Sequence, residues 1–230
     1  MCIRDRFLRV DLVFENNTPT GGDMGAHIVA IDTFIKDFMP NFQINGWSND
    51  WFGGYPLYYF YFPLPAIITF FLNLIFPFGI AFKIMVVLSI ILVVYSIEKL
   101  MRKTSNQISI YGATAGLFYV FTESFTIYGG NLASTLAGQF SFGYSLAFAN
   151  LSIFYLLKSN NNFRFPISSI FLAICLLSHL IPFIIYSPIY AFYWLSRKQN
   201  FNQKILSISI FLALVCLLYT SPSPRDSDQS

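Results

Sequence analysis

The chain of 230 residues is 55% hydrophobic, 19% aromatic and only 11% charged, with a formal net charge of +3. That balance excludes an ordinary soluble domain, and without a basic stripe or a recognised binding motif it gives no case for nucleic acid. It points instead to an all-α, polytopic transmembrane helical bundle, read as a fragment, whose first partner is the lipid bilayer.

The two ends differ from the rest. MCIRD at residues 1–5 and CLLYTSPSPRD at residues 216–226 back-translate to codons that contain a shared stretch read from opposite strands. Two unrelated protein termini would not be coded that way, and both resemble a translated sequencing-library adapter. Residues 1–6 and 216–230 are therefore expected to be adapter. Residues 7–215 are expected to form one truncated transmembrane domain, with an external loop at 15–56 and membrane helices over 57–215. Among the cysteines this leaves Cys175, alone in an apolar helix, which behaves as a small hydrophobe and implies neither disulfide nor metal.

In chain order, residues 7–14 (FLRVDLVF) are too short to span a bilayer and carry Arg9 and Asp11. They read as the remnant of a first membrane helix or as its juxtamembrane end. Residues 15–22 (ENNTPTGG) are turn chemistry. Asp23 is placed to open a helix to about Phe38 and to cap its first-turn amides, where a carboxylate also suits the helix dipole. Ile28, Ile31, Phe34, Ile35 and Phe38 share one face of that helix, so it is expected to lie on the membrane surface. His27, four residues after Asp23, can share a face with it. Residues 41–55 bring Trp47, Asp50, Trp51 and Tyr55 beside Gly53 and Gly54. This cluster reads either as an interfacial aromatic anchor or as a sugar-binding loop.

From Leu57 onward the chain is apolar, in runs near 57–76, 80–101, 108–121, 140–157 and 165–195, with another starting near 205. The 165–195 run would be about 45 Å long as one helix, too long for a bilayer core, and Pro182 and Pro188 are expected to break it. Lys99, Arg102 and Lys103, then Lys158 and Arg164, then Arg197, Lys198 and Lys204 form three basic clusters expected on the inner side. The loop around Asp23 and Asp50, the 122–139 turn with Glu123, and His179 then face outward, provided that the 57–76 run is broken at Pro63 and Pro65. Glu98 beside Lys99 reads as a solvated pair. Glu123 and His179 are site candidates because ionisable groups at membrane depth are functional by default.

The stretches GGDMGAH and GWSNDWFGGYPLYYFYFPLP, with the later GGNLASTLAGQFSFGYSLAFA and LLSHLIP, resemble bacterial membrane proteins of the GT-C glycosyltransferase superfamily. More narrowly they resemble the set labelled membrane protein, 6-pyruvoyl-tetrahydropterin synthase-related, a label that carries no pterin chemistry here. The resemblance implies a multi-helix fold in the bacterial inner membrane whose first external loop holds an acidic catalytic residue. It also implies a polyprenyl-phosphate-linked sugar as donor. On this sequence Asp23 is that residue, a base for the acceptor hydroxyl. His27, Trp47, Asp50, Trp51, Tyr55, Glu123 and His179 are candidates for substrate binding, with the tryptophans and Tyr55 as sugar platforms. No cofactor is required, although some members hold a divalent metal on loop acids, for which Asp23 with His27 or Asp50 would be the ligands. No obvious lysine or arginine stands in the loop for the carrier phosphate, because Lys36 lies on the helix and Arg9 precedes the loop. A non-catalytic partner in envelope polysaccharide assembly, or a transporter with charges at broken helices, are the alternatives.

Overall fold

A computed structural model describes residues 10–50, 53–59, 62–102, 109–123, 129–158, 164–196 and 200–219. Of the stretches expected to be adapter, only Cys216 and the backbone of residues 217–219 fall within them.

The fold is all-α. A single turn, α1 (Val10–Val13), leads through the glycine-rich loop to α2 (Met24–Thr33), which widens into a π turn over Phe34–Phe38 and closes in a 3-10 turn at Met39–Asn41. Strands β1 (Gly46–Ser48) and β2 (Tyr55–Leu57) form an antiparallel hairpin, with Trp47 opposite Pro56 and Ser48 opposite Tyr55. Then follow α3 (Leu64–Asn73), α4 (Phe78–Arg102), α5 (Ser109–Val120) and the three-residue turn α6 (Leu132–Ser134). The remaining helices are α7 (Phe140–Leu157), α8 (Arg164–Ser178), α9 (Leu180–Ser196) and α10 (Phe201–Tyr219).

Helix α7 is the hub. Tyr144 donates its buried hydroxyl to the Met85 carbonyl of α4 at 2.6 Å, and Asn150 reaches Ser96 of α4 at 3.2 Å, so α7 and α4 run side by side in the same direction. Gly112 and Gly116 of α5 lie against Met101 and Val94 of α4, which makes α5 antiparallel to α4 and lets the two backbones approach closely. Ser168 of α8 meets the Tyr190 hydroxyl of α9 at 2.8 Å, and Phe165 stacks on Trp194 at 6.2 Å. Those pairs define an antiparallel hairpin of helices folded about His179. Ser169 of α8 contacts Ser207 of α10, while Phe183 of α9 stacks on Phe211, so α10 runs antiparallel to α9. These directions put Lys99, Arg102, Lys158, Arg164 and Lys204 at one end of the bundle and Asp23, Gln139 and His179 at the other.

Among the described residues two stretches are long and apolar enough to cross a membrane, α4 with mean hydropathy 2.6 and the Leu132–Leu157 segment, kinked at Gly138, with mean hydropathy 1.4. The 57–76 run is not one helix: its first residue, Leu57, belongs to β2, and α3 has only 10 residues, about 15 Å, half a hydrocarbon core. The break in the 165–195 run falls at His179, ahead of Pro182, and Pro188 stays inside α9. Pro182 occupies the first turn of α9, where its missing N–H would have no partner in any case. Glu98 pairs with Arg102 rather than Lys99, at 2.7 Å and one helical turn on, leaving Lys99 over the Tyr95 ring.

The apolar face of α2 is also placed differently from the expected membrane surface. Ile31, Phe34 and Phe38 are buried in one cluster with Leu57, Phe82, Met85, Phe140 and Tyr144, and Ile28 and Ile35 pack against it. The periodicity that marks an apolar face does not say what covers it, and here the covering is the helical bundle. Removing the Tyr144 hydroxyl tests how the hub is held. Tyr144→Phe should cost about 1 kcal/mol, the net worth of one buried hydrogen bond, read as a lower Tm in detergent with unchanged helical content.

Candidate functional site

Asp23 stands where α2 begins, but it does not cap the helix: no side-chain bond to the first-turn amides forms. Its carboxylate turns to another part of the chain, where Gln139 Nε2 donates to Oδ2 at 3.3 Å. Its backbone N–H donates to the Ala137 carbonyl at 2.8 Å. The local sequence permits this because the chain before Asp23 and the chain before Gln139 both carry glycine where they touch. Gly22 has φ +51, and a Cβ there would lie 2.2 Å from the Ala137 oxygen. Gly138 has φ +112, and a Cβ there would lie 2.9 Å from Asp23 Cβ. Both backbone conformations are ones that L side chains rarely adopt.

His27 lies one turn into α2 and is 7% exposed. Its ring packs edge-on against Phe140, centroids 4.7 Å apart, and hydrogen-bonds the Gly138 carbonyl. Burial pulls its pKa below the ordinary histidine value, partly opposed by the Asp23 carboxylate and the Gly138 bond. Expected from the sequence to touch substrate, His27 instead lies beneath the surface on which Asp23 is exposed.

His179 belongs to the same end of the bundle in another role. Its ring stacks on Phe62 at 5.1 Å and meets Phe142 of α7 edge-on at 5.6 Å. Its Nδ1 accepts the Ile181 N–H at 3.2 Å, satisfying an amide that the start of α9 leaves unpaired. The Ser145 hydroxyl lies 2.9 Å from the Cys175 carbonyl and 2.8 Å from that of His179. His179 is thus the cap of a helix hairpin. The first turn of α7, with Gln139, Phe140 and Phe142, is where Asp23, His27 and His179 are brought together.

Asp50 is not brought there. It accepts from Thr33 Oγ1 at 2.6 Å and Ser48 Oγ at 3.1 Å, which pins the hairpin to the far end of α2, about 15 Å along the helix from Asp23. Asp23 and Asp50 therefore do not form one ligand set. Among the described residues no group of three or more His, Cys, Asp or Glu side chains converges. Asp50, Asp32, Asp37, Thr33, Lys36 and Phe78 line an open cleft of about 460 Å³, within which Lys36 pairs with Asp32 at 2.7 Å. Trp47 is 49% exposed, its Nε1 donating to Asn49 at 3.1 Å. Tyr55 is half-buried beside Asp50, and burial first, then that carboxylate, pushes its hydroxyl pKa up. Glu123 is exposed beyond α5, and Trp51 lies outside the described residues.

Two residues of this region escape sequence reasoning. Gln139 shows only as the polar residue before an apolar run, and nothing local ties it to Asp23, 116 residues away. Lys83 hides inside the apolar run of α4, where a lone ammonium is a signal in itself. Its Nζ donates to the carbonyls of Leu12 and Glu15 and to Asn17 Oδ1, the last at 2.8 Å. Those three bonds use the whole donor set of an ammonium, so Lys83 fastens the loop that leads to Asp23.

Two outcomes follow from this geometry. Gly138→Ala must push the two segments apart and adopt a disfavoured φ, so it should cost more than about 1 kcal/mol, measured as a drop in Tm. For His27, a folded pKa below the unfolded value of about 6.5 means that the unfolded chain binds the proton first. Stability is then complete above that unfolded pKa and is lost as pH falls from it toward the lower folded pKa. Thermal melts at pH 7.5 and 5.5 should show the loss in the wild type and a smaller one in His27→Gln.

Comparison of the chain with protein-family models, curated proteins and solved structures finds no match.

Proposed function

We propose that the chain is a multi-pass inner-membrane protein of GT-C type that transfers a sugar from a polyprenyl-phosphate donor on the extracytoplasmic face. The observation that carries the reading is Asp23, an exposed carboxylate fixed by a side-chain amide from a segment 116 residues away. Gln139 occupies Oδ2 and turns the carboxylate into a set position. Oδ1, without a protein donor among the described residues, then takes the proton of an acceptor hydroxyl as its oxygen bonds to the anomeric carbon. The bond from that carbon to the carrier phosphate breaks, and the polyprenyl phosphate leaves as an anion that needs no strong acid. A positioned base of this kind is worth about 10²–10⁴ in rate.

The membrane placement is supported by charge and by surface. Lys99, Arg102, Lys158, Arg164 and Lys204 at one end of the bundle fit an inner face under the positive-inside rule, which puts Asp23 outside. Phe118 on α5, Ile184, Ile185 and Phe192 on α9, and Leu212 on α10 are each about half exposed or more. Apolar surface that extensive is unusual on a protein in water and is ordinary against hydrocarbon.

The test uses the full chain purified in mild detergent. Native mass spectra should show retained polyprenyl phosphate on the wild type and on Asp23→Asn. With a polyprenyl-phosphate-linked sugar and a hydroxyl acceptor, Asp23→Asn should lose about 10²–10⁴ in turnover while keeping its Tm. Asp50→Asn, at the other end of α2, should stay within a few-fold of wild type. Equal turnover of Asp23→Asn and wild type, or the absence of any polyprenyl carrier on both, overturns the reading.

A further inference from the structure

We infer that His27 is a positioning residue: through the Gly138 carbonyl it sets the turn that presents the Gln139 amide to Asp23. The inference rests on the proposed role of Asp23 for its consequence in catalysis, but its structural half stands alone.

The geometry runs in one direction through three contacts. The His27 ring donates to the Gly138 carbonyl and is held in place by Phe140, centroids 4.7 Å apart. Gly138 is the residue that departs from helical backbone inside the π turn at Thr135–Gln139, just ahead of α7, with φ +112 and ψ −2. The next residue, Gln139, donates to Asp23. A carbonyl at such a break has lost its regular helical partner, and a buried one must find a donor. His27 supplies it from the helix that begins at Asp23 itself. Base, histidine, turn and amide thus close a ring: Asp23 and His27 on α2, Gly138 and Gln139 before α7.

This explains why a histidine lies there at all. Phenylalanine would fill the space against Phe140 equally well, but it has no N–H. Without a donor the Gly138 carbonyl is left unpaired in a buried position, and the peptide unit that carries it is free to rotate. Rotation there moves the Gln139 amide away from the Asp23 carboxylate. The Asp23 carboxylate also acts on the His27 ring electrostatically, so the candidate base and the histidine sense one another within this knot.

Two variants separate packing from positioning. His27→Phe keeps the ring and loses the donor, whereas His27→Gln keeps a donor and loses the ring. Backbone deuterium exchange on the full chain in detergent reads the turn without reference to activity. The peptide covering 137–142 should exchange at least tenfold faster in His27→Phe than in wild type, and His27→Gln should recover much of the protection. In the transfer assay, His27→Phe should lower kcat by about tenfold with KM near wild type, as expected when an aligned base is lost and binding is retained. His27→Gln should restore part of it. Unchanged exchange over 137–142 in His27→Phe overturns the inference, whatever the assay gives. Equal faster exchange in both variants also overturns it, because a role in packing alone predicts that result. Faster exchange in His27→Phe with recovery in His27→Gln, combined with wild-type turnover in Asp23→Asn, upholds the structural inference and rejects the glycosyl-transfer reading.

Discussion

The structure depends on one constraint: a helix buried among other apolar helices must satisfy its polar side chains from its neighbours. Helix α7 is that helix. Tyr144 and Asn150 bind α4, Ser145 serves two carbonyls at the α8–α9 joint, and the Asn150 carbonyl oxygen accepts from Tyr186 of α9 at 2.9 Å. Each of these bonds fixes the axial position of a neighbour as well as its distance, because a helix slid by a residue would leave both partners unpaired. Apolar contact alone has no such preference. The same reasoning covers the cluster of Ser168, Ser169, Tyr190 and Ser207, which ties three helices at one level.

The end of the bundle bearing Asp23 inherits its order from that core. The first turn of α7 offers the Gln139 amide, the Phe140 ring and the Phe142 ring, and three separate segments settle on them: Asp23 and His27 from α2, Phe62 from the chain entering α3, and His179 from the helix joint. The amino end of α7 carries the positive end of its dipole, so an exposed carboxylate is electrostatically at ease beside it. Asp50, by contrast, is bound by two hydroxyls and serves to pin the hairpin. Two carboxylates of the same loop are thereby given different work by their surroundings.

Much of the helical framework was legible in the sequence. The apolar runs give α4, α5 and α7, and the basic residues at their ends give a common polarity that the helix directions reproduce. The apolar positions of α2 were also legible, but whether they face lipid or protein was not, since periodicity records composition and not covering. The helix break is instructive in the same way. Pro182 announces it, yet a proline fits the first turn of a helix better than its interior, so the break falls before it, at His179. The ring of contacts from Asp23 to Gln139 was beyond reach because each half is locally unremarkable: a pair of glycines before an aspartate, and a glycine before a glutamine. Lys83 was overlooked for a different reason, as a single charge inside an apolar run whose partners are backbone carbonyls from another segment.

The separation between Asp23 and Gln139 has a consequence for how the molecule comes into being. During synthesis the segment with Asp23 leaves the ribosome long before the turn that receives it, and α3, α4 and α5 must be made in between. Contacts this distant in sequence are slow to form, and the waiting α2 carries an apolar face that its final neighbours do not yet cover. Biogenesis therefore has an ordered dependency: α4 arrives first and Lys83 secures the leader of the loop, then α7 arrives and locks Asp23. A nascent chain stalled anywhere before Gln139 holds the Asp23 carboxylate without the amide that fixes it.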